Sequence, residues 1–201
     1  MKLSREFYNR DTLEVAKELL GKNLVTVENN IITSGKIVEV EAYMGLEDKA
    51  AHSYGGRRTK RVEVMYGKPG VAYVYFIYGL YYCMNVVSRE EGIAQAVLIR
   101  AVEPLQGKEI MSKRRFNKNY DELKKRDIIN LTSGPSKLCM AFNIDRSMNG
   151  EDLLGDRIYI EEGNKEEFEI GESSRIGIDY AEEAKHYPWR FFVSGNPYVS
   201  K

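Results

Sequence analysis

The stretch VAYVYFIYGLYYCMNVV, residues 71–87, restricts the fold more than any other part of the chain. Two runs rich in β-branched and aromatic residues, 71–77 and 80–87, flank Tyr78-Gly79, a pair suited to a tight turn. The spacing predicts a β-hairpin. Five of the ten residues 73–82 are tyrosine and one is phenylalanine. A tyrosine buries well only when its hydroxyl finds a partner. So many in one hairpin either line a core or offer flat faces for stacking. Alternation puts Tyr73 and Tyr75 on one face, with Val74 and Phe76 on the other. For Tyr73, Tyr81 and Tyr82 the core reading is preferred. Tyr78 falls at the expected tip, where a large aromatic is hard to bury in its own domain and can wedge between stacked bases.

The rest of the chain reads as mixed elements. Asp11 caps a helix that carries Leu13, Ala16, Leu19 and Leu20 on one stripe and ends at Gly21. Strands follow over Asn23–Glu28 and Ile31–Tyr43, turned at Asn29-Asn30. Residues 45–61 read as a short helix and a polar loop. A further strand, AQAVLIRAVEP, is expected to stop at Pro104. Residues 108–125 look helical and basic, with a break near 117–119. Ser133-Gly134-Pro135 opens a helix through Phe142, with Ser133 as the candidate cap and Pro135 in the first turn. Short strands are expected near 157–161 and 190–193. Sequential strands joined by hairpins imply an α+β fold with an antiparallel sheet.

Composition excludes several classes. At 43% hydrophobic and 30% charged the chain is ordinary for a globular protein, so wholesale disorder is not expected. No apolar run is long enough to span a bilayer, and the first 22 residues lack the apolar block of a secretory signal. The two cysteines, Cys83 and Cys139, sit in apolar surroundings and read as buried thiols of a cytosolic protein. The two histidines, His52 and His186, have no zinc-site spacing. Net charge is zero, but it is unevenly spread: residues 57–68 hold five basic and one acidic, 108–126 eight and three, and 150–172 two and nine. A basic patch suffices to track a phosphate backbone; the plain alternative is scattered, solvated charge.

Within KIVEVEAYMG, Val38, Val40 and Ala42 share one face and Glu39, Glu41 and Tyr43 the other. Two carboxylates on one face suggest a paired acid and base. The plain reading leaves both solvated.

In order along the chain, VEVEAYMGLEDKAAHSYGGRRTKR, VAYVYFIYGLYYCMNVV, AVLIRAVEPLQG, LTSGPSKLCMAF and WRFFVSGNPYVS resemble the alkyladenine (3-methyladenine) DNA glycosylase family, from about residue 7 to residue 200. The resemblance implies an enzyme that flips an alkylated or deaminated purine out of duplex DNA and hydrolyses its N-glycosidic bond, leaving an abasic site. It places the general base on Glu41, the stacking walls on Tyr43, His52 and Tyr75, and the intercalating wedge on Tyr78 with Leu80 close behind. Asn85 falls where the exocyclic amine of normal guanine would sit. Arg100 helps Glu41 hold the water, and a main-chain carbonyl placed on Ile176 is the third partner. His52 also reads as a core histidine, and Arg100 as an ordinary ion pair with Glu103. Arg57, Arg58, Lys60 and Arg61, just after the pocket residues, are candidate backbone contacts, as are the free amides opening the helix at 133–137. The acidic stretch should face away from DNA. No cofactor, metal or membrane is expected.

The whole expectation is one domain over residues 1–201, α+β, with a curved, mostly antiparallel sheet, a protruding aromatic β-hairpin and surrounding helices. It would act as a monomer on double-stranded DNA with damaged purines, in the cytoplasm and at the nucleoid if bacterial. Two rivals stand beside it: a non-catalytic nucleic-acid-binding module with aromatic stacking surfaces, and a sugar hydrolase using Glu39 and Glu41.

Overall fold

A computed structural model describes residues 1–77 and 79–200. The chain begins with a single helical turn, α1 (Arg5–Tyr8), and the helix α2 (Thr12–Leu19). The Asp11 side chain accepts from the amides of Leu13 and Glu14, satisfying two otherwise orphaned donors at the start of α2. Its inner face buries Val15, Ala16 and Leu19.

Eight strands form one sheet: β1 (Asn23–Glu28), β2 (Ile31–Tyr43), β3 (Ala72–Ile77), β4 (Tyr81–Ser88), β5 (Gln95–Gln106), β6 (Ile158–Glu161), β7 (Ile170–Ser173) and β8 (Arg190–Val193). Every pairing is antiparallel, in the order β3-β4-β5-β2-β1-β6, and the sheet curls. One edge of β2 serves two partners in succession, β1 along Ile31–Lys36 and β8 along Glu39–Glu41. Asn29 and Asn30 both adopt positive φ, which matches the right-handed twist of the hairpin they close. Helices α3 (Lys108–Phe116), α4 (Lys125–Ile129) and α5 (Pro135–Phe142) complete the elements used below.

Several expectations change. Strand β5 does not stop at Pro104 but continues to Gln106. Pro104 lies opposite Gly35 where the register shifts, and such a bulge tolerates a residue with no N–H to donate. Gly35 is needed there: a Cβ would come within 2.9 Å of the Glu103 carbonyl and the Val102 side chain. The cap of α5 is Gly134 at φ 148°, with no side-chain hydrogen bond, rather than Ser133. Residues 45–66 form three separate 3₁₀ turns rather than one short helix. Tyr81 is exposed, and only Tyr73 of the three tyrosines read as core is fully buried. Both cysteines are free and buried.

Candidate active site

Strand register brings the site together. Glu41 of β2 lies opposite Leu98 of β5, Leu98 opposite Asn85 of β4, and Asn85 opposite Tyr73 of β3. Directly opposed residues share a face. This row therefore spans four strands, and its Tyr73, Asn85 and Leu98 line a cavity of about 500 Å³. Tyr43, His52, Tyr75, Asn85, Arg100 and Ile176 all line that cavity. Residues distant in sequence thus converge on a cavity within the ordinary size range of small-ligand sites.

Arg100 reaches the site through an irregularity. The register steps from Glu39 opposite Ala101 to Val40 opposite Ile99, leaving Arg100 without a partner. Such a bulge re-aims a side chain. Here it sets the guanidinium between two carboxylates, with Nε donating to Glu39 at 3.0 Å and Nη1 3.2 Å from Glu41. Both glutamates are fully buried, which overturns the solvated reading. Glu103, the partner in the alternative ion-pair reading of Arg100, instead accepts from Asn196 and pairs with Lys36. Burial works against the Arg100 charge, but Glu41 and Glu39 more than restore it, so its pKa is raised.

The two carboxylates differ in their partners. Glu39 accepts from Arg100, from Arg190 Nε at 2.7 Å, and from both the amide and the hydroxyl of Ser200 at 2.7 Å. Three of these donors fall on Oε1 and one, the Ser200 amide, on Oε2. Glu41 has three described partners: the Tyr43 hydroxyl at 2.9 Å, the Ile176 amide at 2.7 Å and Arg100. All three line the cavity. Ile176 thus meets Glu41 through its N–H.

The walls are aromatic. His52 packs edge-on against Tyr75 with centroids 4.6 Å apart, and its Nδ1 lies 2.9 Å from the Tyr73 hydroxyl. Burial, then the Arg61 and Arg57 charges, lower its pKa to about 4, so the imidazole is neutral at pH 7. Burial also raises the Tyr43 and Tyr75 phenols well above their usual value and Cys83, on the cavity wall, to about 11. Asn85 is buried and donates to the Tyr73 carbonyl at 3.2 Å.

Tyr43 is backed by a residue that sequence reasoning missed. Arg175 is buried, with its guanidinium 4.8 Å from the Tyr43 ring and 5.0 Å from Trp189. Asp48 clamps it through two bonds of 2.6 and 2.8 Å. Nothing in SSRIGID marks that arginine as buried. Arg190 and Ser200 were missed likewise.

Around the rim, Arg57, Arg58, Lys60 and Arg61 are exposed. Arg61 lies 5.2 Å over Tyr75, while Arg58 is engaged by Glu63 and the Tyr66 ring. A second cavity of about 610 Å³ lies beside the start of α5, lined in part by Lys125, Arg126, Lys137 and Ser200. In the acid-rich stretch Glu151 pairs locally with Arg157, while Asp152, Asp156, Glu162, Glu166 and Glu172 pair with Arg5, Lys2, Lys22, Lys36 and Lys17. Much of the acidic charge is thereby neutralised by the N-terminal segment. No ion pair engages Arg57, Lys60, Arg61, Lys125 or Arg126 among the described residues. At the hairpin end Leu80 and Phe76 are exposed; Tyr78, the expected wedge, lies outside the described residues. Among the described residues, no group of three His, Cys, Asp or Glu could hold a metal ion, and no helix is long and apolar enough to cross a membrane.

Together these residues make a buried carboxylate-and-arginine floor beneath an aromatic cavity on a curled antiparallel sheet. The profile of the Methylpurine-DNA glycosylase (MPG) family matches residues 6–197, and the chain belongs to this family of DNA-repair N-glycosylases. It is 65% identical over 200 residues to a protein of Clostridium acetobutylicum, covering 100% of this chain and 98% of that one. It is also 59% identical over 199 residues to a Desulfitobacterium hafniense protein (99% and 98% covered) and 56% identical over 201 residues to one of Clostridium botulinum (100% and 99%). All three are named, by inference, 3-methyladenine DNA glycosylases.

Proposed function

We propose that the protein excises alkylated or deaminated purines from duplex DNA, with the flipped base held in the aromatic cavity and Glu41 activating the water. The carrying observation is the environment of Glu41: a buried carboxylate whose three described partners all line the cavity, one fewer than the roughly four acceptor positions a carboxylate has, so that a fourth position remains for a water. A water in that position would lose its proton to Glu41 and attack C1′. The bonding electrons leave with the purine, and the negative charge beneath the sugar favours the cationic character it develops. Glu39, engaged by four donors, is a poor partner for the two-carboxylate chemistry of a sugar hydrolase.

Tyr43, His52 and Tyr75 supply stacking faces worth about 1–3 kcal/mol per base, which offsets part of the cost of unstacking the nucleotide. A base already carrying positive charge gains more from such faces and leaves more readily. The neutral imidazole of His52 adds no repulsion. Asn85 stands against the exocyclic amine of guanine. Tyr78 and Leu80 at the hairpin end fill the gap in the duplex, and Tyr78→Ala should weaken flipping as read by a fluorescent base analogue. Arg57, Lys60 and Arg61 on one rim and the Lys125–Arg126–Lys137 cavity on the other take the phosphates, with the protein acting as a monomer on nucleoid DNA in the cytoplasm.

The test is base release from duplexes carrying one hypoxanthine or ethenoadenine, and from methylated DNA, with EDTA present and Glu41→Gln alongside. Release by the native chain and not by the variant supports the reading. Equal release by both removes Glu41 from it, and binding without release from any substrate favours a non-catalytic module.

A further inference from the structure

Two carboxylates lie buried in the floor, yet only one has its partners on the cavity wall. Burying the second costs several kcal/mol unless it is fully paired. The chain gives Glu39 four donors: Arg100, Arg190, and the amide and hydroxyl of Ser200 converge on it. With Glu41 the cluster holds two anions and two cations and is formally neutral.

We infer that Glu39 is a positioning residue for the excision chemistry: acting through the Arg100 guanidinium, it sets the place and orientation of the Glu41 carboxylate, and Ser200 and Arg190 hold Glu39 in turn. The inference rests on Glu41 being the base. The geometry behind it is a braced relay. Ser200 bonds Glu39, and its hydroxyl also accepts from Arg100 Nη2 at 3.4 Å; Glu39 takes the Nε end of Arg100; the Nη1 end of the same planar group meets Glu41. A guanidinium is a rigid fork, so fixing one end fixes the other. The bulge at Arg100 makes this necessary, because the side chain has no cross-strand neighbour to set its direction. Arg190 lies on β8, opposite Glu41, and ties that strand and the Ser173 hydroxyl to the same carboxylate. Ser200 also lines the basic second cavity, so the relay begins on the surface where the duplex is proposed to lie. Misplacing a reacting group by about 1 Å costs roughly a hundredfold in rate.

Glu39→Gln, Ser200→Ala and Arg100→Lys in the full chain, singly and combined, test the relay. The readouts are single-turnover base release from a hypoxanthine duplex and the dissociation constant for the same DNA. Glu39→Gln should slow release about a hundredfold, and Ser200→Ala about threefold, with DNA affinity within about threefold in both. In the Arg100→Lys background neither should cause much further loss, because lysine cannot span the two carboxylates. Non-additivity of this kind is not produced by a general loss of stability. Release within about twofold of native for both Glu39→Gln and Ser200→Ala overturns the inference, as do losses that multiply in the Arg100→Lys background. If Glu39→Gln does not fold, the Ser200→Ala and Arg100→Lys pair decides by the same criterion. Glu41→Gln run beside them separates the two readings: its retained activity removes the base and with it the relay's target. A dead Glu41→Gln with unaltered Glu39→Gln removes the relay alone.

Discussion

The floor of the cavity and the far end of the β3–β4 hairpin depart from the usual distribution of residues in opposite ways. The floor buries charge: Glu39, Glu41 and Arg100 are all at or below 7% exposure. The hairpin end exposes apolar surface, with Leu80 at 73% and Phe76 at 48%. Charge inside and a cluster of large apolar groups outside are the informative exceptions to ordinary burial. Each is stable for its own reason. The floor is a closed set of ion pairs and hydrogen bonds, so removing one member strands another. The hairpin end has few internal contacts (a Cβ at Gly79 would meet nothing within 4 Å), so its side chains can be exchanged without harm to the fold. The comparison teaches that the floor should be sensitive in both stability and rate, whereas the hairpin end should be sensitive in DNA binding alone.

The largest effect should come from the floor. Glu41→Gln should lower single-turnover base release by about a thousandfold while lesion-DNA affinity stays within a few-fold. Retained release would place the chemistry elsewhere. Next is the pair behind Tyr43. Asp48→Ala leaves the buried Arg175 guanidinium without its carboxylate and should cost about 3 kcal/mol of unfolding free energy, read by denaturant titration. A loss below about 1 kcal/mol would mean that water or the Ala42 and Ala184 carbonyls suffice.

His52 gives a pH-dependent effect of similar or smaller size. Its folded pKa, about 4, lies below the ordinary 6.5, so the unfolded chain takes up the proton first as pH falls. The stability contributed is complete above pH 6.5 and is lost as pH falls from there to about 4. The loss should approach about 3 kcal/mol. His52→Phe should flatten that part of the stability profile; an unchanged profile would assign the acid sensitivity to other groups.

Leu80→Asp at the hairpin end should weaken lesion-DNA binding about tenfold and leave the melting temperature within about 1 °C. A drop in melting temperature would make Leu80 part of the fold and erase the contrast. Smallest of all, Arg58→Ala should leave the denaturation midpoint essentially unchanged, because its pair with Glu63 is exposed on both sides; a clear drop would make that pair part of the fold.

Much of this was legible in the residues, and the pattern of what was not is physical. The β1–β2 and β3–β4 hairpins, α2 with its Asp11 cap, and α5 follow from alternation, turn residues and helix periodicity. Strand β7 did not, because IGES lacks an apolar alternation and is a strand only through pairing with β8. Tyr43, His52, Tyr75, Asn85 and Ile176 could be named through the family resemblance, and their meeting in one cavity follows from strand register. Arg175, Arg190 and Ser200 carry no local signal, since an arginine or serine in a polar stretch is ordinarily solvated.

The sequence by itself determined the strands, the turns, the antiparallel class and the aromatic hairpin, since each depends on interactions within a few residues. Only the tertiary structure decided which of Glu39 and Glu41 is held by cavity-lining partners alone and which is bound by Arg190 and Ser200 as well. On β2 the two glutamates belong to the same alternating face. What separates them is a one-residue bulge on β5 and a hydroxyl and amide 161 residues away. Such contacts cannot be read from periodicity, because they exist only once the sheet has curled and brought distant segments of the chain together.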